Sequence, residues 1–340
     1  MSQNKLNPIV HAFNQLFIQH IHYNDADSRM VQKHVDTFIH ELHTLSYTKE
    51  NLPWLHRERH LVTSSFGRGT HINPLKHVQL LICLNGDDSR IKTTGTSDSY
   101  IIRINDGAGR FGDMINAKRE LNSSAIAHNF AHELQNFPEA KNVSISSEGG
   151  ATYRRQGCLW VFNVIPSFFI KHPKTGTTFY LVPDQHGHWR PIYPHTETAT
   201  LQAINQQHNG LLYDLIYIMK YWNREHDIST IPSSLLEAIV VNYCEAKSVK
   251  LKEFIDLDIS GLLRATREAI IKPLVDPLGS RGDLNILPSE ARKKIAEQAF
   301  SDQLKAESAR NFELARDYKR SMEKWAQVIG HEFTKLAQIN

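Results

Sequence analysis

The residues best suited to chemistry lie in "TSSFGRGTHINPLKHVQLLICLNG", residues 63–86. Ser64, Ser65, Gly67, Gly69 and Thr70 crowd a short turn between two apolar runs. Small residues let backbone N–H groups approach a polyphosphate, and hydroxyls add donors. An ordinary tight turn has the same composition, and Arg68 reads equally as a phosphate partner or a solvated cation. His77 and Gln79 follow at a spacing of two, so a strand would project both from one face and send Val78 and Leu80 to the other. Asn163 interrupts the apolar "CLWVFNVIP". A lone asparagine there reads as a partner for a buried backbone group, but three polar side chains converging near such a turn read as a candidate site.

The elements that must hold these residues follow from pattern. Residues 6–22 and 29–49 read as helices; in the second, Met30, Val31, Val35, Phe38, Ile39, Leu42 and Leu45 recur at helical steps, with Asp27 or Ser28 as N-cap. Residues 60–64 and 77–84 read as strands around a turn at 65–74. A polar insertion at 85–97 precedes the apolar "SYIIRI", and 123–139 reads as a helix. "EGG" predicts a hairpin turn, and "CLWVFNVIP" a strand that Pro166 ends. From residue 197 the pattern is helical: "NGLLYDLIYIMKYWNRE", "SSLLEAIVVNYCEA" and a long tail over 289–330. The apolar positions of that tail do not keep a strict heptad, which excludes a simple coiled coil.

Bulk properties exclude several classes. A formal net charge of +3 over 340 residues does not by itself argue for nucleic acid. Arg57, Arg59, Arg154, Arg155, Lys171, Lys174, Lys247, Lys250 and Lys252 are the local basic candidates, with solvated charge as the plain reading. Cys83, Cys158 and Cys244 lie far apart in apolar runs, the pattern of reduced core thiols. No apolar run reaches the ~18 residues of a membrane span, and no signal pattern opens the chain. A soluble, cytoplasmic protein without membrane partners is expected. His20, His22, His186 and His188 lack partners at structural-zinc spacing, so no metal site is expected from them.

The order of turn, x-V-x strand, long insertion and F-x-V-I-P strand resembles the polymerase-beta-like nucleotidyltransferase superfamily. Within it, the chain resembles the bacterial cyclic-oligonucleotide synthases (CD-NTases) related to cyclic GMP-AMP synthase and oligoadenylate synthase. The likeness continues through "FYLVPDQHGHWRPIYPHTE", "NQQHNGLLYDLIYIMKYWNRE", "PSSLLEAIVVNYCEA" and "KWAQVIG". The resemblance implies an α+β fold: a nucleotidyltransferase core with N-terminal helices over 1–196, and a helical lobe over 197–340 like the C-terminal part of oligoadenylate synthase.

It also implies roles. Ser65 matches a triphosphate-contacting serine, and Ser64 stands where relatives have glycine. Lys220 matches the triphosphate-binding lysine; without the resemblance it reads as a snorkelling surface lysine. Ser233 matches the serine that assists it, and Ser234 stands where relatives place a base-stacking tyrosine. Active relatives carry aspartates at the positions of His77, Gln79 and Asn163. Paired Mg²⁺ ions require hard anionic oxygens, which imidazole and carboxamides do not supply. Asp87, Asp88, Asp106 and Asp113 are the nearby acids, and none obviously substitutes.

The expectation is a degenerate site with no catalytic residues and no cofactor. Such a protein would bind a nucleotide triphosphate, a nucleic acid, an active paralogue or another protein of a bacterial antiphage defence system. The alternative is an active nucleotidyltransferase making a cyclic or linear oligonucleotide messenger from NTPs, with Mg²⁺ or Mn²⁺ in a non-standard site.

Overall fold

The structure is a computed structural model that describes residues 7–86, 89–94, 99–105, 110–137, 140–146, 149–184, 186–226, 231–246, 251–279 and 282–336. In chain order, α1 (Pro8–Leu16) runs into a π-helical turn (Phe17–Ile21), and α2 spans Asp25–Thr48. β1 (Leu61–Thr63) leads directly into the one-turn α3 (Ser64–Gly67), then β2 (His77–Cys83), β3 (Ser89–Thr93) and β4 (Tyr100–Ile104). After α4 (Ser123–Gln135) come β5 (Ala140–Ile145), β6 (Ala151–Arg155), β7 (Val161–Lys171), β8 (Thr178–Pro183) and β9 (Trp189–Ile192). The rest is helical: α5 (Pro194–Gln207), α6 (Leu211–Glu225), α7 (Ser233–Glu245), α8 (Asp256–Ile270), α9 (Ser289–Leu314) and α10 (Tyr318–Ile329).

The chain divides into two compact units, one of residues 24–71 and 75–196, the other of 1–23, 72–74 and 197–340. The first unit holds a mixed sheet with strand order β1-β2-β7-β8-β9-β4-β3, extended by β6 on β7 and β5 on β6. β2 and β7 run parallel, and β1 and β6 flank them antiparallel. Val78, Leu80, Phe162 and Val164 form one buried face of the central strands. α2 covers it with Phe38, whose ring stacks on Phe162 at 4.8 Å and on Tyr153 at 5.1 Å. Each such ring pair adds about 0.5–1.5 kcal/mol beyond the burial itself. α2 begins a turn earlier than the sequence suggests, because the Asn24 side chain accepts the Asp27 N–H and caps it.

Pro166 does not end its strand. β7 runs on to Lys171, with Pro166 in register with Ile82. The reason is a change of neighbour: β7 pairs with β6 through Val164 and with β8 from Phe168 onward. Pro166 sits in the gap between those two ladders, where a missing N–H costs no hydrogen bond on that side. The expected hairpin also differs. The turn between Ile145 and Ala151 joins β5 to β6, and a second turn with Gly157 at φ +84° leads into β7. Glu148 of "EGG" lies outside the described residues.

The second unit is a helical bundle. Residues 7–23, expected with the core, belong here: Phe13 on α1 packs edge-on to Trp325 at 5.2 Å and against Phe333 at 4.7 Å. Its polar centre is Asp302, fully buried, which accepts from Trp222 Nε1 at 3.0 Å, Gln298 Nε2 at 2.8 Å and Lys305 Nζ at 2.8 Å. The tail is two helices rather than one. Arg316 adopts φ +61° and Asp317 caps α10 by accepting the Arg320 N–H, so the chain reverses between α9 and α10.

Candidate functional site

Strand pairing brings two of the singled-out residues side by side. Gln79 on β2 is the register partner of Asn163 on β7. Register partners project from the same face, so the row extends outward through Thr63 on β1, then Thr152 on β6 and Ser144 on β5. Ser144 Oγ and Thr152 Oγ1 are 2.6 Å apart. His77 is exposed on the same face, one alternation before Gln79 and opposite Val161. Alternation along β6 adds the exposed Arg154 to that face. Beyond Gln79 and Asn163 the face turns apolar, with Leu81 and Ile165 packed on Tyr180, Val182 and Ile192.

This row carries hydroxyls and carboxamides and no carboxylate. Two divalent cations about 4 Å apart need bridging anionic oxygens, and neutral amide dipoles, an imidazole and a nearby guanidinium do not fit them. Among the described residues no group of three or more His, Cys, Asp or Glu is placed to hold a metal ion. Of the acids weighed as substitutes, Asp113 is exposed on a 3₁₀ turn outside this row, and Asp87, Asp88 and Asp106 lie outside the described residues.

Ser65 lies immediately beyond β1, on α3. Its carbonyl accepts the Thr70 N–H at 2.8 Å, and Thr70 is fully buried, so Thr70 closes the turn. Ser64 has φ +61°, a left-handed conformation that glycine adopts without a Cβ penalty. Gly67 is required for a steric reason: a Cβ there would lie 2.3 Å from the Val62 carbonyl oxygen.

Lys220 and Ser233 belong to the helical unit. The structure overturns the surface reading of Lys220, which is 8% exposed and pairs with Glu237 at 2.5 Å. Ser233 Oγ donates to the same Glu237 oxygen at 3.3 Å. Glu237 is 2% exposed and is the residue that sequence reasoning missed. Its signal was legible: an acid inside the apolar run "LLEAIVV", one helical turn after Ser233 on the same face.

Elsewhere, two of the basic candidates are engaged within the first unit. Arg155 makes a two-pronged pair with Glu41 at 3.1 and 3.2 Å, and the Arg59 guanidinium lies 4.5 Å from the Phe169 ring centroid. Lys247 and Lys250 lie outside the described residues. The "HGH" backbone N–H groups of His186 and His188 bond the Asp184 carboxylate in a turn. The His22 ring packs on Phe17 and Tyr217.

The chain is 27% identical over 288 residues to a probable cyclic nucleotide synthase of Bacillus cereus, across 84% of this chain and 85% of that one. The chain is similar to CD-NTases in sequence and in fold. A cyclic AMP-AMP-AMP synthase of Acinetobacter is also 27% identical, over 46% of this chain and 48% of that protein. No family model matches the chain. Among solved CD-NTase structures, Vibrio cholerae DncV in its apo form superposes with a TM-score of 0.66 at 9% identity, covering 97% of each chain. Escherichia coli CdnC with ATP gives a TM-score of 0.64 at 11% identity, covering 95% of this chain and 98% of that one. CdnC in complex with HORMA gives 0.62 at 11% identity, covering 94% and 96%. These structures establish the α+β nucleotidyltransferase fold. No helix among the described residues is long and apolar enough to cross a membrane.

Proposed function

We propose that this protein is a catalytically inactive CD-NTase and acts by binding. The observation that carries the reading is the register of Gln79 with Asn163, flanked by Thr63 and Thr152. Phosphoryl transfer depends on metal positioning and charge neutralisation. A row of neutral side chains at the strand positions where active relatives carry aspartates supplies neither. The Lys220–Ser233 cluster of the helical unit suits the phosphates of a nucleotide triphosphate held without divalent metal. A protein partner within bacterial antiphage defence is consistent with CdnC, which is solved both with ATP and with HORMA.

An active synthase is the second reading. It is favoured by the near full-length likeness to a probable cyclic nucleotide synthase. It would need His77, exposed at the start of β2, to recruit a softer ion such as Mn²⁺. Purified protein incubated with all four NTPs and Mg²⁺ or Mn²⁺ decides between them. The inactive reading expects pyrophosphate release at background, and calorimetric nucleotide binding unchanged by EDTA. Sustained pyrophosphate release abolished by His77→Ala would replace it with the second reading.

A further inference from the structure

The Lys220–Glu237–Ser233 cluster holds two groups that the proposed reading assigns to the triphosphate, and one that it does not. Glu237 lies on α7, a turn beyond Ser233, and its Oε1 is the common acceptor for the Lys220 ammonium at 2.5 Å and the Ser233 hydroxyl at 3.3 Å. Both charged side chains are almost fully buried, 8% and 3% exposed. A buried ammonium requires a partner, and breaking such a pair leaves an uncompensated charge in a poorly solvated place. A lysine has four rotatable side-chain bonds and so loses much entropy when fixed. Glu237 bears that ordering cost in the ligand-free protein.

We infer that Glu237 is a positioning residue of the polyphosphate site: one carboxylate oxygen ties a lysine from α6 and a serine from α7 into a single preassembled anion clamp. This rests on the reading that Lys220 and Ser233 bind a triphosphate. Preorganisation improves affinity by removing the cost of ordering at the moment of binding. An ammonium carries three hydrogen-bond donors, so a carboxylate and a phosphate oxygen can share one ammonium. The Ser233 hydroxyl rotates freely about its C–O bond and can turn its proton from Glu237 to an incoming oxygen.

The inference has a sign that simple electrostatics does not share. Glu237 is a negative charge beside a site for a polyanion. If it acted only as a counter-anion, removing it would tighten binding. As a positioning residue, its removal weakens binding although the site becomes more positive.

The test uses inorganic tripolyphosphate in EDTA, titrated by calorimetry into the full-length wild type, Glu237→Gln, Lys220→Met and the double variant. Glutamine keeps the size and an acceptor oxygen but loses the charge. The expected result is at least a tenfold weaker Kd for Glu237→Gln, loss of binding for Lys220→Met, and no further effect of Glu237→Gln in the Lys220→Met background. A ¹⁵N spectrum tuned to lysine ammonium groups should show a protected Lys220 Nζ signal in the wild type that disappears in Glu237→Gln, which a general loss of stability would not do selectively. Equal or tighter binding by Glu237→Gln, with Lys220→Met still defective, overturns the positioning role alone. Absence of wild-type binding overturns the triphosphate reading, and the clamp with it. A Lys220 signal unchanged by Glu237→Gln overturns the clamp irrespective of ligand.

Discussion

Restoring acidic residues to the central row should make the stability of this protein depend on magnesium. In Gln79→Asp/Asn163→Asp, two carboxylates would stand on register partners of parallel strands, whose backbones lie about 4.8 Å apart. Two like charges about 5 Å apart at an effective dielectric near 20 repel by roughly 3 kcal/mol. Both positions are only partly buried, so solvent screening lowers this to about 1–2 kcal/mol. For a folding unit of this size, that corresponds to a fall in melting temperature of roughly 2–8 °C. A divalent cation between the carboxylates reverses the sign, and at about a hundredfold excess over its Kd a site-bound ion contributes about 2.7 kcal/mol. Thermal melts in EDTA and in excess Mg²⁺ are the assay. The variant should melt below wild type in EDTA and recover in Mg²⁺, while the wild type responds to neither. Adding His77→Asp, at an exposed position, should strengthen metal binding with little further loss in EDTA. If the double variant melts identically with and without Mg²⁺, the two positions do not converge and the reasoning about the row fails.

Three other expectations follow from local geometry. Burial, and then the nearby His43 and His56, lower the His60 pKa to about 4 from an ordinary 6.5. Between those values the unfolded chain binds more protons, so stability falls as pH drops from about 6.5 to about 4, by at most about 3 kcal/mol; urea midpoints across that range should show it, and His60→Gln should flatten the slope. Ser64→Gly should raise stability by about 0.5–1 kcal/mol by relieving a left-handed serine, whereas Gly67→Ala, whose Cβ would meet the Val62 carbonyl oxygen, should lower it by about 2 kcal/mol or more in denaturant melts. Burial pushes the Cys83 thiol to about 11 and the Cys244 thiol to about 12, so a thiol-reactive dye at pH 8 should label Cys158 first and the other two only on unfolding.

The chain's own order determined much of this protein. Helical periodicity in "DLIYIMKYW" and the alternation His77-Val78-Gln79-Leu80 fixed which side chains share a face, because those repeats depend only on backbone geometry within one element. The chemical identities that argue against paired metals, a carboxamide at 79 and another at 163, were equally present before any fold was known. Tertiary structure alone decided that those two amides are neighbours, since register depends on how distant strands dock and a slip of one residue would turn either side chain to the other face. It also decided that β7 continues through Pro166, because the tolerance arises from a change of neighbouring strand rather than from the proline itself. The state of Lys220 belongs to the same class: a lysine in an amphipathic helix reads as solvated until α7 brings Glu237 to its ammonium. Local periodicity is written in adjacent residues; burial and pairing are set by residues far apart in the chain.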